Sequence, residues 1–137
     1  MKAEFIVYGE PVGKARPRVT RMGHAYTPEK TVLYENLIKM EYERQCGGEK
    51  ARKPEQVMMT VVLYYQIPKS VSKKKREQMI TGGIRPTKKP DCDNALKCVA
   101  DALNGLAYDD DSQLVQCHVE KWYAEDPRIE VILRGYE

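Results

Sequence analysis

Two rhythms of hydrophobic positions run along the chain. Glu4-Phe5-Ile6-Val7-Tyr8 and Gln56 through Ile67 are short runs rich in β-branched and aromatic residues, and they predict strands. The second run is almost continuously apolar, which predicts a central strand with both faces at least partly covered. Gln113–Tyr123 predicts a further strand, and Arg128–Arg134 alternates cleanly as its hairpin partner across Glu125-Asp126-Pro127. Helical spacing takes over between these runs. Thr27 as N-cap and Pro28 as first residue open a helix through Tyr42, with Leu33, Leu37 and Met40, joined by Tyr34 and Ile38, as its buried stripe. Lys30 stands where a capping box would place Glu or Gln. Ser70 or Ser72 caps a short basic helix that Gly82-Gly83 closes. Asp93 or Asn94 caps a third helix, in which Leu96, Val99, Ala100 and Leu103 share a stripe and which Asn104-Gly105 ends. A small hairpin is expected around Gly23.

The resulting order, β-α-β-α-α-β-β, predicts an α+β fold in which helices pack on one face of a small mixed or antiparallel sheet. At 137 residues the expectation is one domain over 1–137. Apolar residues make up 42% and charged residues 31%, which argues against wholesale disorder. No apolar run approaches the length of a transmembrane helix, and the N-terminus enters a strand without signal-peptide architecture, so a cytoplasmic protein is expected. Cys46, Cys92, Cys98 and Cys117 lack the paired spacing of a zinc module, and His24 has no neighbouring partner, so free thiols and a loop histidine are the simpler expectation.

Net charge is only +3, but it is unevenly spread. From Lys69 to Lys89 eight basic residues face one acidic residue, and from Asp109 to Glu137 eight acidic residues face three basic ones. Such a basic segment leading to acidic clusters suits a protein that holds a polyanion and brings metal ions to it. In Gly13-Lys14-Ala15-Arg16-Pro17-Arg18 the cations alternate, so in an extended loop Lys14, Arg16 and Arg18 would share one face and clamp phosphates. Lys73, Lys74, Lys75, Arg76, Lys88 and Lys89 are the further candidates for DNA contact, although a solvated basic loop and helix read the same way.

The chemistry concentrates in Lys89-Pro90-Asp91-Cys92-Asp93-Asn94-Ala95-Leu96-Lys97 and Tyr108-Asp109-Asp110-Asp111-Ser112-Gln113. Taken alone, Asp93 could be a helix cap and Asp109–Asp111 a polar turn. A reversal at Gly105 would return the second stretch beside the helix start, so that Asp91, Asp93 and one or two of Asp109, Asp110 and Asp111 converge, with Lys97 one turn from Asp93. Carboxylates are ionised at neutral pH, and several packed together require a cation; all-oxygen ligation suits Mg²⁺, with Mn²⁺ as substitute. Such an ion activates water against a phosphodiester, and a lysine beside it can neutralise the developing charge or protonate the leaving oxygen.

These two stretches, with Asp101-Ala102-Leu103-Asn104-Gly105 between them, resemble the RusA family of Holliday junction resolvases. The opening Gly9-Glu10-Pro11-Val12-Gly13-Lys14-Ala15-Arg16-Pro17-Arg18 and Tyr26-Thr27-Pro28 are similar to the branch in phages and prophages of Gram-positive bacteria. The resemblance implies that Asp91, Asp93 and Asp111 are essential metal-binding carboxylates, Lys97 an essential lysine and Asp110 an accessory acid. It also implies homodimers, Mg²⁺ dependence and paired nicks at a four-way junction in recombination and repair. Asp109 precedes the family's usual acidic pair, and Ala95 stands where a bulkier aliphatic residue is common. The alternatives are a branched-DNA-binding protein without catalysis and a metal-dependent nuclease of broader taste.

Overall fold

A computed structural model describes residues 1–137. Strands β1 (Lys2–Tyr8), β4 (Val57–Gln66), β5 (Leu114–Ala124) and β6 (Arg128–Gly135) form one mixed sheet in the order β1-β6-β4-β5. The pair β2 (Arg18–Val19) and β3 (Ala25–Tyr26) is the small hairpin expected around Gly23, whose φ of 81° supplies the turn. Helices α1 (Glu29–Cys46), α2 (Lys73–Ile80) and α3 (Cys92–Leu103) complete the α+β fold.

The alternation that predicts the strands also decides which face they bury. Phe5 and Val7 of β1, Met59, Val61, Leu63 and Tyr65 of β4, and Ile129, Val131 and Leu133 of β6 all point into one core. Tyr34, Ile38 and Tyr42 of α1 and Ala95, Cys98, Val99, Ala102 and Leu103 of α3 close it from the other side. Phe5 and Tyr42 meet edge to face, with ring centroids 5.4 Å apart. On the opposite face of β4 every second residue is half-buried, as a central strand requires.

Local pattern misleads at three places. First, β6 is not the hairpin partner of β5. The longest apolar strand, β4, lies between them, parallel to β5 and antiparallel to β6. The link 125–127 crosses the end of β4, held by the Gln66 side-chain amide donating to Glu125 O at 2.8 Å and by Ile67 N donating to Ala124 O. The parallel pairing needs a long crossover, which α2 and α3 provide. Second, the buried stripe of α1 runs through Thr31, Tyr34, Ile38 and Tyr42, while Leu33 and Met40 are 61% and 56% exposed. Both tyrosine rings pack into the core, and the Tyr42 hydroxyl reaches a polar partner at Glu49 O, whereas that of Tyr34 is buried without one. Third, the caps shift: Pro28 precedes α1 without a side-chain cap bond from Thr27, and Asp91, not Asp93 or Asn94, occupies the cap position of α3. Ser72 caps α2 as expected, accepting from Lys75 N.

The free edge of β1 is plugged. The Gln45 side chain accepts from Ile6 N at 3.0 Å and donates to Ile6 O at 2.8 Å, imitating a neighbouring strand.

The far end of α3 is capped by the chain that follows it. Asn104 N donates to Asp101 O, and Leu106 N and Ala107 N both donate to Leu103 O. The Ala100 carbonyl is taken by the buried Tyr108 hydroxyl at 2.6 Å. Tyr108→Phe should therefore lower unfolding stability by about 1 kcal/mol, read from urea denaturation, with an unchanged slope. An unshifted midpoint would show that this hydroxyl does not cap the helix.

Candidate active site

The start of α3 is fixed from two directions. From the sheet, Tyr65 at the end of β4 donates its hydroxyl to Pro90 O at 2.9 Å. From the N-terminal loop, Lys14 N donates to Asn94 O at 2.9 Å. Gly13 packs so closely that a Cβ there would fall 2.6 Å from that of Pro90, which only glycine avoids. Asp91 accepts Ala95 N through its backbone carbonyl, but its carboxylate makes no cap bond. Asp93, in the first turn, is also exposed and unpartnered. Two carboxylates are thus held on a rigid helix start with their oxygens free. The helix dipole favours negative charge there.

Beside them opens a cleft of about 640 Å³, bordered by Arg16, Arg18, Lys30, Lys89 and Asp91. Five cations line it, these four and the ion-paired Lys14, against one carboxylate, a surface suited to a phosphate backbone beside an acidic site. Lys30 belongs to this rim, a place that charge alternation along the 14–18 loop does not reveal. Its signal was the absence of Glu or Gln at a capping-box position.

The basic residues divide into free and engaged groups. Arg16, Arg18, Lys73, Lys74, Lys75 and Lys89 are exposed and unpaired. Lys14 is not part of a shared cationic face. It turns inward, with Nζ 2.7 Å from Glu35 Oε1 and 3.3 Å from Asp101 Oδ2. Burial pulls its pKa down, but the hydrogen bonds and charges of Glu35 and Asp101 outweigh that and hold it above the ordinary lysine value. Asp101 Oδ1 also meets Lys97 Nζ at 3.4 Å, so one carboxylate is shared by two lysines. Arg76 pairs with Glu125, and Lys88 lies over the Tyr65 ring.

The second acidic stretch resolves into three different roles. Asp109 accepts Lys53 N at 2.9 Å and pairs with Lys50 at 3.4 Å. Asp110 caps a single 3-10 turn (Asp111–Gln113) in a capping box, accepting Ser112 N while Gln113 Oε1 accepts Asp110 N. The Asp111 carboxylate alone of the three makes no hydrogen bond or ion pair, so among Asp109, Asp110 and Asp111 it is the one available for other work.

Asp111 does not, however, join Asp91 and Asp93 within one chain. No three or more His, Cys, Asp or Glu side chains gather into a set able to hold a metal ion. The expected return at Gly105 fails because the chain is captured at the end of α3: Tyr108 is tied to Ala100, and Ala51 N donates to Ala107 O. Asp111 leads into Leu114, which pairs with Val57, whereas Asp91 sits by Tyr65. Those two positions on β4 are roughly 26 Å apart at strand rise. Asp91 and Asp93 together can still offer oxygen ligands to a hard cation, which commonly completes its shell with water and phosphate. The four cysteines are free thiols, and burial pushes Cys98 up to about 12.

A family model described as endodeoxyribonuclease RusA matches residues 8–134. The chain belongs to the RusA endodeoxyribonuclease family. RusA proteins resolve Holliday junctions and bind branched DNA, and the free carboxylates and cationic cleft described above lie within the matched region. The chain is also 44% identical over 136 residues to the uncharacterized protein YqaN of Bacillus subtilis strain 168, covering 96% of this chain and 94% of that protein. No helix is long and apolar enough to cross a membrane.

The division of labour among the three aspartates predicts distinct melting behaviour. Hydrogen bonds from Lys53 N to Asp109 and from Ser112 to Asp110 hold both carboxyls below the ordinary range. A depressed folded-state pKa contributes stability above the unfolded value near 4 and loses it as pH falls through the folded value. Asp109→Asn and Asp110→Asn should therefore lower the melting temperature at pH 7 and flatten its decline in acid. Asp111→Asn should leave the melting temperature at pH 7 unchanged. A destabilised Asp111→Asn protein would mean that its carboxylate is structural.

Proposed function

We propose that this chain is a Mg²⁺-dependent, homodimeric endodeoxyribonuclease that resolves Holliday junctions by paired nicks in recombination and repair, acting in the cytoplasm and carried by a phage or prophage. The observation that carries this reading is the pair Asp91 and Asp93, unpartnered on a rigid helix start, with Asp91 bordering a cleft that Arg16, Arg18, Lys30 and Lys89 also line. The cations hold phosphates without reading bases, which suits recognition by shape. Lys73, Lys74, Lys75 and Lys88 extend the same positive field towards a second arm of the substrate.

Asp91 and Asp93 would hold the ion, with Asp111 supplied by a second copy of the chain. When bound, Mg²⁺ supplies Lewis-acid polarisation of the phosphoryl oxygen and a more acidic attacking water. Lys97 stands one turn along α3 from Asp93, where an ammonium can neutralise charge on the phosphoryl group or protonate the leaving oxygen. Asp110 supports the site indirectly, by capping the turn that carries Asp111. Homodimerisation is favoured by the split of the free carboxylates, since the third cannot reach the first two within one chain. A two-fold protein also matches a near two-fold substrate and delivers two nicks.

The experiment is cleavage of a fixed four-way junction with Mg²⁺, with linear duplex and flap DNA as controls. The junction should be cut in preference to both. Equal cutting of all three would replace resolution with a broader nuclease, and Mg²⁺-independent binding without products would leave a DNA-binding protein. Asp93→Asn should slow cutting by on the order of 1,000-fold, the worth of several kcal/mol of transition-state stabilisation, while junction binding stays about the same.

A further inference from the structure

We infer that Asp101 is a positioning residue that holds Lys97 off Asp93, and that a partly buried ion triad beneath it supplies the pull. This inference rests on the role proposed above for Asp93 and concerns what keeps that carboxylate free. Asp93, Lys97 and Asp101 follow one another at i, i+4 and i+8 along α3, so Lys97 has a carboxylate one turn away on either side. Local preference favours Asp93. Long side chains on a helix lean towards its N-terminus, and an acid placed four residues before a lysine makes a better pair than one placed after it. The structure shows the opposite choice. Lys97 Nζ lies 3.4 Å from Asp101 Oδ1, while Asp93 is exposed and unpartnered.

What overrides the preference lies on the inner side of Asp101. Lys14 Nζ sits 3.3 Å from Asp101 Oδ2 and 2.7 Å from Glu35 Oε1. Their side chains are 20% exposed in Lys14, 23% in Asp101 and 14% in Glu35, against 63% in Lys97. Two carboxylates thus share one ammonium, and the triad keeps an unmatched negative charge where water screens it poorly. The lysine on the neighbouring turn is the cation that balances it. Asp93, out in solvent, offers only a well-screened attraction. The triad is itself anchored. Lys14 N donates to Asn94 O and Ala15 N donates to Thr31 Oγ1, so the loop keeps Lys14 between α1 and α3.

Where Lys97 rests decides what Asp93 can do. An ammonium on Asp93 would occupy its oxygens and set a positive charge where a divalent cation would bind. On Asp101 it leaves the acidic pair open and still stands one turn from it. The contact of an exposed lysine at 3.4 Å is readily exchanged, so the ammonium can leave Asp101 when a phosphate arrives.

The test follows Lys97 itself. In protein carrying isotope-labelled lysine, the Lys97 Cε signal is identified by its loss in Lys97→Arg and followed by NMR without metal or DNA. In the unsubstituted chain it should move on Asp101→Asn and stay in place on Asp93→Asn. In the Asp101→Asn background it should become sensitive to Asp93→Asn, because the ammonium has crossed to Asp93. Asp101→Glu should restore the original signal. Glu35→Gln, which leaves Lys14 to satisfy Asp101 alone, should act as a weaker Asp101→Asn and carries the same comparison if that variant folds poorly. Metal binding gives a second readout. Asp101→Asn should weaken Mn²⁺ binding, measured from the free-ion EPR signal, by about fivefold, and Lys97→Met added to it should restore the affinity. A Lys97 signal that ignores Asp101→Asn, or one that already responds to Asp93→Asn in the unsubstituted chain, would overturn the inference. If the junction is not cut but Lys97 behaves as expected, the positioning stands without the nuclease. If the junction is cut while Asp101→Asn changes neither the signal nor Mn²⁺ affinity, the nuclease stands without the positioning.

Discussion

The position of α3 depends on one buried hydroxyl. Tyr65 is almost wholly buried in the sheet, and burial first, then the acidic groups around it, push its phenol far above the ordinary range. It therefore stays protonated and always donates, and its acceptor is the carbonyl of Pro90, immediately before Asp91. A core strand thus aims a surface carboxylate. The other end of the same helix is held equally firmly, by Tyr108 at Ala100. With both ends tied and the helix rigid between them, the two acidic stretches have fixed places, and no loop motion short of breaking these bonds brings them together in one chain.

Charge is sorted by the same logic. Lys14, the cation nearest the core, is paired with Glu35 and Asp101, and Asp101 also meets the exposed Lys97. Those on the rim are left unpaired, where solvent carries most of the cost and a polyanion could displace it. The network Glu35–Lys14–Asp101–Lys97 links α1, the N-terminal loop and α3. The loop that presents Arg16 and Arg18 is thereby fastened to the helix that presents Asp91, Asp93 and Lys97. The distance between phosphate-holding and acidic groups is set by folding and not by the substrate.

Much of this was legible in the sequence. Strand and helix extents follow from hydrophobic period, Ser72 and Gly23 mark their cap and turn, and the free carboxylates are those that the motif resemblance implies. What escaped is what period cannot encode. A two-residue alternation gives a strand a buried face but not a neighbour, so β4 could slip between β5 and β6 unseen. An apolar count favours Leu33 and Met40 over Tyr34 and Tyr42, because it ignores the large ring area that a tyrosine can bury. Alternating cations promise a shared face only until one of them meets buried carboxylates, as Lys14 does. The reach of the segment after Gly105 was sufficient for convergence, but reach is an upper bound, and the bonds at Leu103, Ala100 and Ala51 decide where the chain goes.

Separating the free carboxylates has an energetic logic. Two unit charges 4 Å apart repel by about 4 kcal/mol at the dielectric of a protein surface. Gathering three carboxylates in one chain would burden its folding with several such terms before any cation arrived, against a total stability of roughly 5–15 kcal/mol. With Asp111 at one end of α3 and Asp91 and Asp93 at the other, the single chain folds without that repulsion. In the dimer proposed above the repulsion falls on association instead. There a divalent cation offsets it, and the bound DNA contributes the phosphate oxygens that complete the ion's shell. Assembly of the reactive site is then coupled to metal and substrate, while the fold that carries its parts depends on neither.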